Sequence, residues 1–257
     1  MSQSDHPGHP GQLDHLSHPG LPDHLDHLDH LDHPSALPAR TAADEFRPIG
    51  MDRVREIIGH PPPFIADKKE THLGEFIIRF IAHSTFFCPA TSDDAGQLDI
   101  SPKGDPPGSV RVLDPWTLVL PDRPGNKLAD TFENLSRNPA VGLVFLVPGL
   151  REVVRVNGDA FISDDPQLLE MLSADGKPAV LATVVRVREV FSQCGKAVIR
   201  AQLWDGDPHR LADAVLMGGN FYTMHIAENA AKMADSLGDQ LGNLTAIAEQ
   251  QYENGLY

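Results

Sequence analysis

The chain has 257 residues, a net charge of −15 and 41% hydrophobic residues, an ordinary globular balance long enough to bury a core. That charge excludes a nucleic-acid binder that works through overall positive charge, and two cysteines exclude a disulfide framework. No apolar run approaches the roughly 20 residues of a membrane helix, and no signal-peptide core stands at the start, so a cytoplasmic protein that binds neither nucleic acid nor membrane is expected.

Residues 1–40 are low in complexity and hold eight of the 13 histidines. An Asp-His-Leu triplet runs from Asp23 to His33, flanked by proline and glycine. Its period of three matches neither helix nor strand but fits polyproline II, which would align His24, His27, His30 and His33 along one edge as candidate metal ligands. With no aromatics and few apolar residues, the segment is expected to be a disordered tail.

Residues 41–66 read as a linker containing one short helix, in which Met51, Val54, Ile57 and Ile58 have helical spacing before Pro61-Pro62-Pro63. A second helix is expected over Asp67–His83, with Leu73, Phe76, Ile77, Phe80 and Ile81 on one face. Strands follow. Phe86–Thr91 and Gln97–Ser101 flank the turn Ser92–Gly96, and Val110–Leu113 and Trp116–Leu120 flank Asp114-Pro115. A short helix is expected from an Asn126 cap to Asn138-Pro139, with Leu128, Phe132 and Leu135 inward. Val141–Val147, Glu152–Phe161 and Val180–Phe191 read as strands, and Pro166–Leu172 and Lys196–Trp204 as helices. A long amphipathic helix is expected across Ile226–Ala248. Short antiparallel strands broken by short helices indicate a mainly β protein, a closed or partly closed barrel over 67–204 with a helical extension over 205–257.

Three polar, glycine-containing loops carry the candidate chemistry. Asp122-Arg123-Pro124-Gly125-Asn126-Lys127 places two cations before a helix start, where unpaired backbone N–H groups favour a phosphate. Ser101-Pro102-Lys103-Gly104-Asp105-Pro106-Pro107-Gly108 follows a strand directly. Gln193-Cys194-Gly195-Lys196, followed by Arg200, repeats the strand-to-helix pattern with a thiol beside a lysine. The first 40 residues account for −5 of the net charge, so the body is acidic yet gathers cations in these loops. That contrast points to a small phosphorylated ligand. The pattern holds no catalytic triad, no P-loop and no Cys-x-x-Cys.

The stretches ATSDDAGQLDISPKGDPPGSVRVLD, LPDRPGNKLADTFENLSRNPAVGLVFLVPG, REVVRVNGDA and FSQCGKAVIRAQLW occur in an order that resembles the FMN-binding split-barrel family of pyridoxamine 5′-phosphate oxidase, in particular its bacterial branch of unassigned substrate. The closing Tyr252 and Leu256-Tyr257 also fit that branch. The resemblance implies a split β-barrel, a homodimer and FMN as cofactor. It sets Asn126 and Lys127 on the FMN phosphate with Arg123 beside them, and Ser101 and Lys103 along the ring. Gln193, Cys194, Lys196 and Arg200 form the branch's own motif. A cation near the ring would stabilise the negative charge of reduced flavin, which fits an oxidoreductase without a side-chain nucleophile. Two departures point away from pyridoxamine 5′-phosphate as substrate. Val153 stands where the classical oxidase has a glutamine, and the family's C-terminal arginine–histidine element has no counterpart near Trp204. Two other readings are a binding protein that holds flavin, deazaflavin or haem without turnover, and metal handling through the tail.

Overall fold

The computed structural model describes residues 42–206, 208–216 and 250. The histidine tail, the helix expected over 226–248 and the closing tyrosines lie outside them. The chain divides into two units, residues 1–60 and 61–257. In the first, a 3₁₀ turn (Ala42–Glu45) precedes α1 (Met51–Ile58), as the spacing of its apolar residues predicts.

The second unit begins with α2 (Pro63–Ala66), which has proline at its first position, where the missing N–H costs nothing. The expected helix over Asp67–His83 is shorter: α3 spans Glu75–His83. Residues before it are drawn into tertiary pairing instead. Glu70 exchanges two backbone bonds with Val190, at 2.9 and 2.8 Å, and the Leu73 N–H donates to the Pro115 carbonyl at 2.7 Å. Long-range pairing thereby overrides local helical spacing, and Phe76 is left 60% exposed while Phe80 and Ile81 are buried.

Eight strands follow: β1 (Phe86–Ser92), β2 (Leu98–Ile100), β3 (Lys103–Gly104), β4 (Arg111–Asp114), β5 (Thr117–Asp122), β6 (Ala140–Leu146), β7 (Val153–Ser163) and β8 (Leu181–Gln193). Between them lie α4 (Asp130–Arg137) and α5 (Pro166–Met171), and after them α6 (Lys196–Ala201) and α7 (Pro208–Leu216). All strand pairs are antiparallel, in the order β2-β1-β6-β7-β8-β5-β4, with β3 also pairing β1. The expected strands match closely because their alternation and turn chemistry are local. In the first hairpin the Asp93 carboxylate accepts from the Ala95 and Gln97 N–H groups at 2.9 and 2.7 Å, and Gly96 supplies the left-handed backbone.

The sheet curls on itself. Phe87 and Phe145 from one end of the strand order join Leu118, Leu120, Val185 and Val190 from the other in a single core, closed by Leu73, Phe80 and Ile81 above. Among the described residues no backbone ladder joins β2 or β3 to β4 or β5, so the barrel is split there. A smaller cluster packs α5 and Leu172 against Val119, Ala182 and Val184 on the other face.

One irregularity organises β8. The β7–β8 register shifts between Asn157 and Gly158, because Asn157 opposes Glu189 while Gly158 opposes Val187. Arg188 is the extra residue of the bulge. Val185 and Val187 point into the core before it, and Val190 points inward after it, so Glu189, Phe191 and Gln193 fall on the outer face. Gly158 must be glycine at this point, since a Cβ would lie 2.2 Å from the Arg186 carbonyl oxygen.

Candidate functional site

A cleft of about 630 Å³ opens along the split. Its walls are the β2–β3 connection (Asp99–Lys103), the segment from the end of β5 to the first turn of α4 (Asp122–Phe132), and Val180-Leu181 at the start of β8. Helix α4 is fixed over this cleft by polar bonds to the first hairpin. Thr131 Oγ1 donates to Asp99 at 2.9 Å, Asn134 Nδ2 to Thr91 Oγ1 at 3.1 Å, and Asn138 Nδ2 to Ser92 Oγ at 3.0 Å. Thr91, Thr131 and Asn134 are buried, so these bonds satisfy groups that water cannot reach.

The entry to α4 differs from the expectation. Asn126 does not cap the helix; its side-chain oxygen accepts from the Leu128 N–H at 3.1 Å, four residues before the helix begins. The cap position is Ala129, left-handed at φ 64°, and Lys127 is left-handed as well at φ 63°. Two non-glycine residues held in this conformation within three positions mark a strained, defined loop. Leu128, expected to face inward, is exposed. Asn126 and Lys127 stand exposed along this loop on the wall of the cleft.

The two other cations of the cleft face partners across the split. Lys103 Nζ lies 2.5 Å from Asp122 Oδ1, joining β3 to β5, and also sits 5.9 Å from the Phe132 ring centroid. Arg123 Nε donates to Asp105 at 2.9 Å, and its NH2 group donates to the Leu172 carbonyl at 2.7 Å. The Arg123 and Asp105 side chains are 12% and 5% exposed. Burial pushes the Asp105 carboxyl above the usual carboxylate range, and the Arg123 charge and hydrogen bond oppose that rise. The seam is thus closed by two ion pairs where a continuous sheet would use backbone bonds. The cations counted in these loops do not make a strongly positive basin, because Asp99, Asp122 and Asp130 line the same cleft. Lys127 is the cation of this wall that stands exposed.

The structure therefore brings Ser101, Lys103, Arg123, Asn126 and Lys127 to one cleft. Gln193, Cys194, Lys196 and Arg200 are elsewhere. Leu181 lines the cleft from one end of β8, whereas Gln193 ends the same strand twelve residues on, about 40 Å of strand away. Cys194 is exposed, and α6 begins directly after Gly195. That glycine packs so closely on Arg151 that a Cβ would meet the Arg151 Cβ at 2.5 Å. The four proposed tail ligands lie outside the described residues, which themselves hold no cluster of metal-ligating side chains. No described helix is long and apolar enough to cross a membrane.

The carboxylates Asp105 and Asp122 are the site residues that sequence reasoning overlooked. Each sits in a quoted loop, but the pairing separations of 18 and 19 residues follow no local period.

Residues 73–194 match the family model described as pyridoxamine 5′-phosphate oxidase. The match supports the resemblance of the barrel to that family. The matched span runs from two residues before α3 to the residue after β8 and contains every wall of the cleft. Among solved structures, one from Lactobacillus delbrueckii, assigned as a pyridoxamine 5′-phosphate oxidase, is 27% identical with a TM-score of 0.39. It aligns over 48% of this chain and 98% of its own. An FMN-binding protein from Syntrophomonas wolfei is 11% identical with a TM-score of 0.35, over 45% and 82% of the two chains. A structure named F420 reductase is 16% identical with a TM-score of 0.33, over 44% and 93%. No curated protein matches the sequence. Val153, where the resemblance implies a glutamine, opposes Gln193 at the far end of the β7–β8 ladder.

Proposed function

We propose that this chain binds FMN in the cleft and serves as a flavin-dependent oxidoreductase. The observation that carries the reading is the meeting of the 99–103 and 122–132 segments in one ligand-sized cleft inside the family-matched span. The donor set fits a phosphate-bearing, planar ligand. Lys127 and Asn126 offer an ammonium and an amide at an exposed loop, and the first-turn N–H groups of α4 lie beside them. Asp130 and Glu133 already complement the helix dipole, so Lys127 rather than the helix end carries the phosphate. Ser101 and Lys103 line the wall where a ring would lie. Arg123 holds the seam that shapes the cleft floor. A bound flavin would supply the two-electron chemistry, while these residues hold and orient it.

The second cation group favours a homodimer. Within one chain, Gln193 ends β8 away from the cleft and Cys194, Lys196 and Arg200 follow it without lining the cleft, and a second copy is the arrangement that would bring both groups together.

The test begins with the visible absorption of the purified protein and mass identification of whatever is bound, which separates FMN from a deazaflavin or haem. Lys127→Ala should weaken FMN binding by about 1–3 kcal/mol, the worth of a charge-assisted hydrogen bond. A colourless protein whose melting temperature ignores added FMN ends this reading. A flavin that no nicotinamide donor reduces would leave a carrier in place of an enzyme.

A further inference from the structure

We propose that the outer face of β1 and β6 is the surface on which two copies of this chain pair, with the two-fold axis running along β6. The inference rests on the homodimer reading above and names its surface. Cross-strand partners set the face out in rows. Ile100, Ala90, Gly142, Asn157 and Glu189 form one row, and Cys88, Val144, Arg155 and Phe191 the next. A third begins with Gly104, Phe86 and Leu146 and ends with Val153 and Gln193. The intervening side chains, such as Phe87, Phe145 and Val154, point into the core. Neither β1 nor β6 holds a charged residue, and none of their outward side chains belongs to either buried cluster. Phe86 is 42% exposed and Ile100, at the edge of the face, 67%.

Three rows across five strands span roughly 20 Å by 20 Å, about 400 Å². A standard interface buries about 800 Å² on each partner, so the segments at the ends of the face must supply the rest. The strand order says how. β6 is the middle strand of the run β2-β1-β6-β7-β8. An axis along β6 therefore lays β2 of one copy over β8 of the other, and adds the 99–103 and 193–200 segments to the interface at both ends. An axis across the strands would lay β2 over β2 and leave Gln193 apart from either cleft. Ile100 also lines the cleft, so the apolar face runs into it without a break. Charge agrees with the first arrangement. At the β8 end, Arg155, Lys69 and Lys68 lie 5.0, 5.2 and 5.6 Å from the Phe191 ring centroid, and Glu189 pairs with Lys69 at 2.9 Å. At the β2 end, Asp99 and Asp130 stand on the cleft wall. The axis along β6 sets the basic end of each copy toward the acidic wall of the other.

The test is sedimentation of the full chain as purified. A dimer is expected, and Val144→Arg, which sets two like charges together at the axis, should raise its dissociation constant about hundredfold or more with an unchanged far-ultraviolet circular dichroism spectrum. A second variant reads the same axis as a gain. In a Cys88→Ser/Cys194→Ser chain, a short bis-maleimide should join Val144→Cys to its counterpart in the second copy. The same reagent should leave Leu113→Cys, on β4 and outside the five-strand run, as single chains. A monomeric chain, a dimer indifferent to Val144→Arg, or equal cross-linking at both positions overturns the proposal. So does a monomer that shields the Val144→Cys thiol from the reagent, which assigns the face to the chain's own residues beyond 216. Flavin content is read separately by absorption. A dimer that takes up no FMN keeps this surface and ends the FMN reading, and a monomer that binds FMN does the reverse.

Discussion

At the split, Lys103 and Arg123 each face a carboxylate supplied from the other side of the seam, Asp122 and Asp105. On the outer face of β7 and β8, Lys68, Lys69 and Arg155 gather on one aromatic ring, and Glu189 pairs with Lys69. The residue types are the same and the circumstances are opposite. Where the sheet fails to close, charge pairs replace a missing ladder and cations become part of the framework. Where the sheet is continuous, backbone bonds already hold the strands, and cations cluster on a ring without joining one strand to another across a gap. Counting cations in loops cannot tell these situations apart.

The sharpest way to break this contrast is at the seam. Arg123→Met leaves Asp105 in its buried position without its partner, and should destabilise the fold by about 3–5 kcal/mol in urea melts at neutral pH. The pH dependence has a definite sign. Because the Asp105 carboxyl is raised in the fold, its protonated form is favoured there, and that contribution is lost as pH rises through the folded value. The Arg123→Met deficit should therefore shrink on mild acidification; a deficit that grows would show that Asp105 is not the group left behind. Gly158→Ala comes next. It forces a methyl into the Arg186 carbonyl at the bulge and should cost about 2 kcal/mol or more, read as a fall in the urea midpoint. Lys103→Met removes the more exposed seam pair and should cost about 1 kcal/mol of stability. Its effect on FMN affinity should be smaller than that of Lys127→Ala; the reverse order would make Lys103 a ligand first and a staple second. The smallest effect belongs to the outer face. Lys69→Ala should move the Glu189 midpoint upward in an NMR titration. A lowered carboxyl lends stability above its unfolded value and loses it as pH falls through the folded one, so the variant should also be less sensitive to acid there.

Much of the barrel was legible because its signals are local. Alternation in Val153–Ser163, the Asp93 turn and the proline start of α5 each act within a few residues. The errors fall where distant backbone intervenes. The residues before α3 have helical spacing, yet Glu70 and Leu73 bond to Val190 and Pro115. Asn126 has the chemistry of a helix cap, but two left-handed residues carry the chain onward before α4 starts. β3 is two residues long and exists only through its pairing with Phe86 and Phe87. For the site, residue types pointed to the cleft, since Ser101, Lys103, Arg123, Asn126 and Lys127 do meet there. What composition could not supply was which cations are engaged by carboxylates brought from 18 or 19 positions away. The Phe191 cluster was invisible for the same reason: its members come from positions 68, 69, 155 and 191.

The extra residue at Arg188 has a consequence for how this chain can change. Before the bulge the odd-numbered side chains of β8 point into the barrel, and after it they point out. Loss of Arg188 itself would leave Val187 in, Glu189 out and Val190 in, the alternation of a regular strand, whereas loss of a residue elsewhere in β8 would put the positions beyond it out of phase with their partners on β7. The strand can therefore drift in composition along its outer face while its length is free to change by one residue only at the bulge. An insertion or deletion elsewhere within Leu181–Gln193 would exchange inside for outside in a single step, and related chains that keep both the core and the outer face should agree in count across this strand, or differ by the one bulge residue, even where they agree in little else.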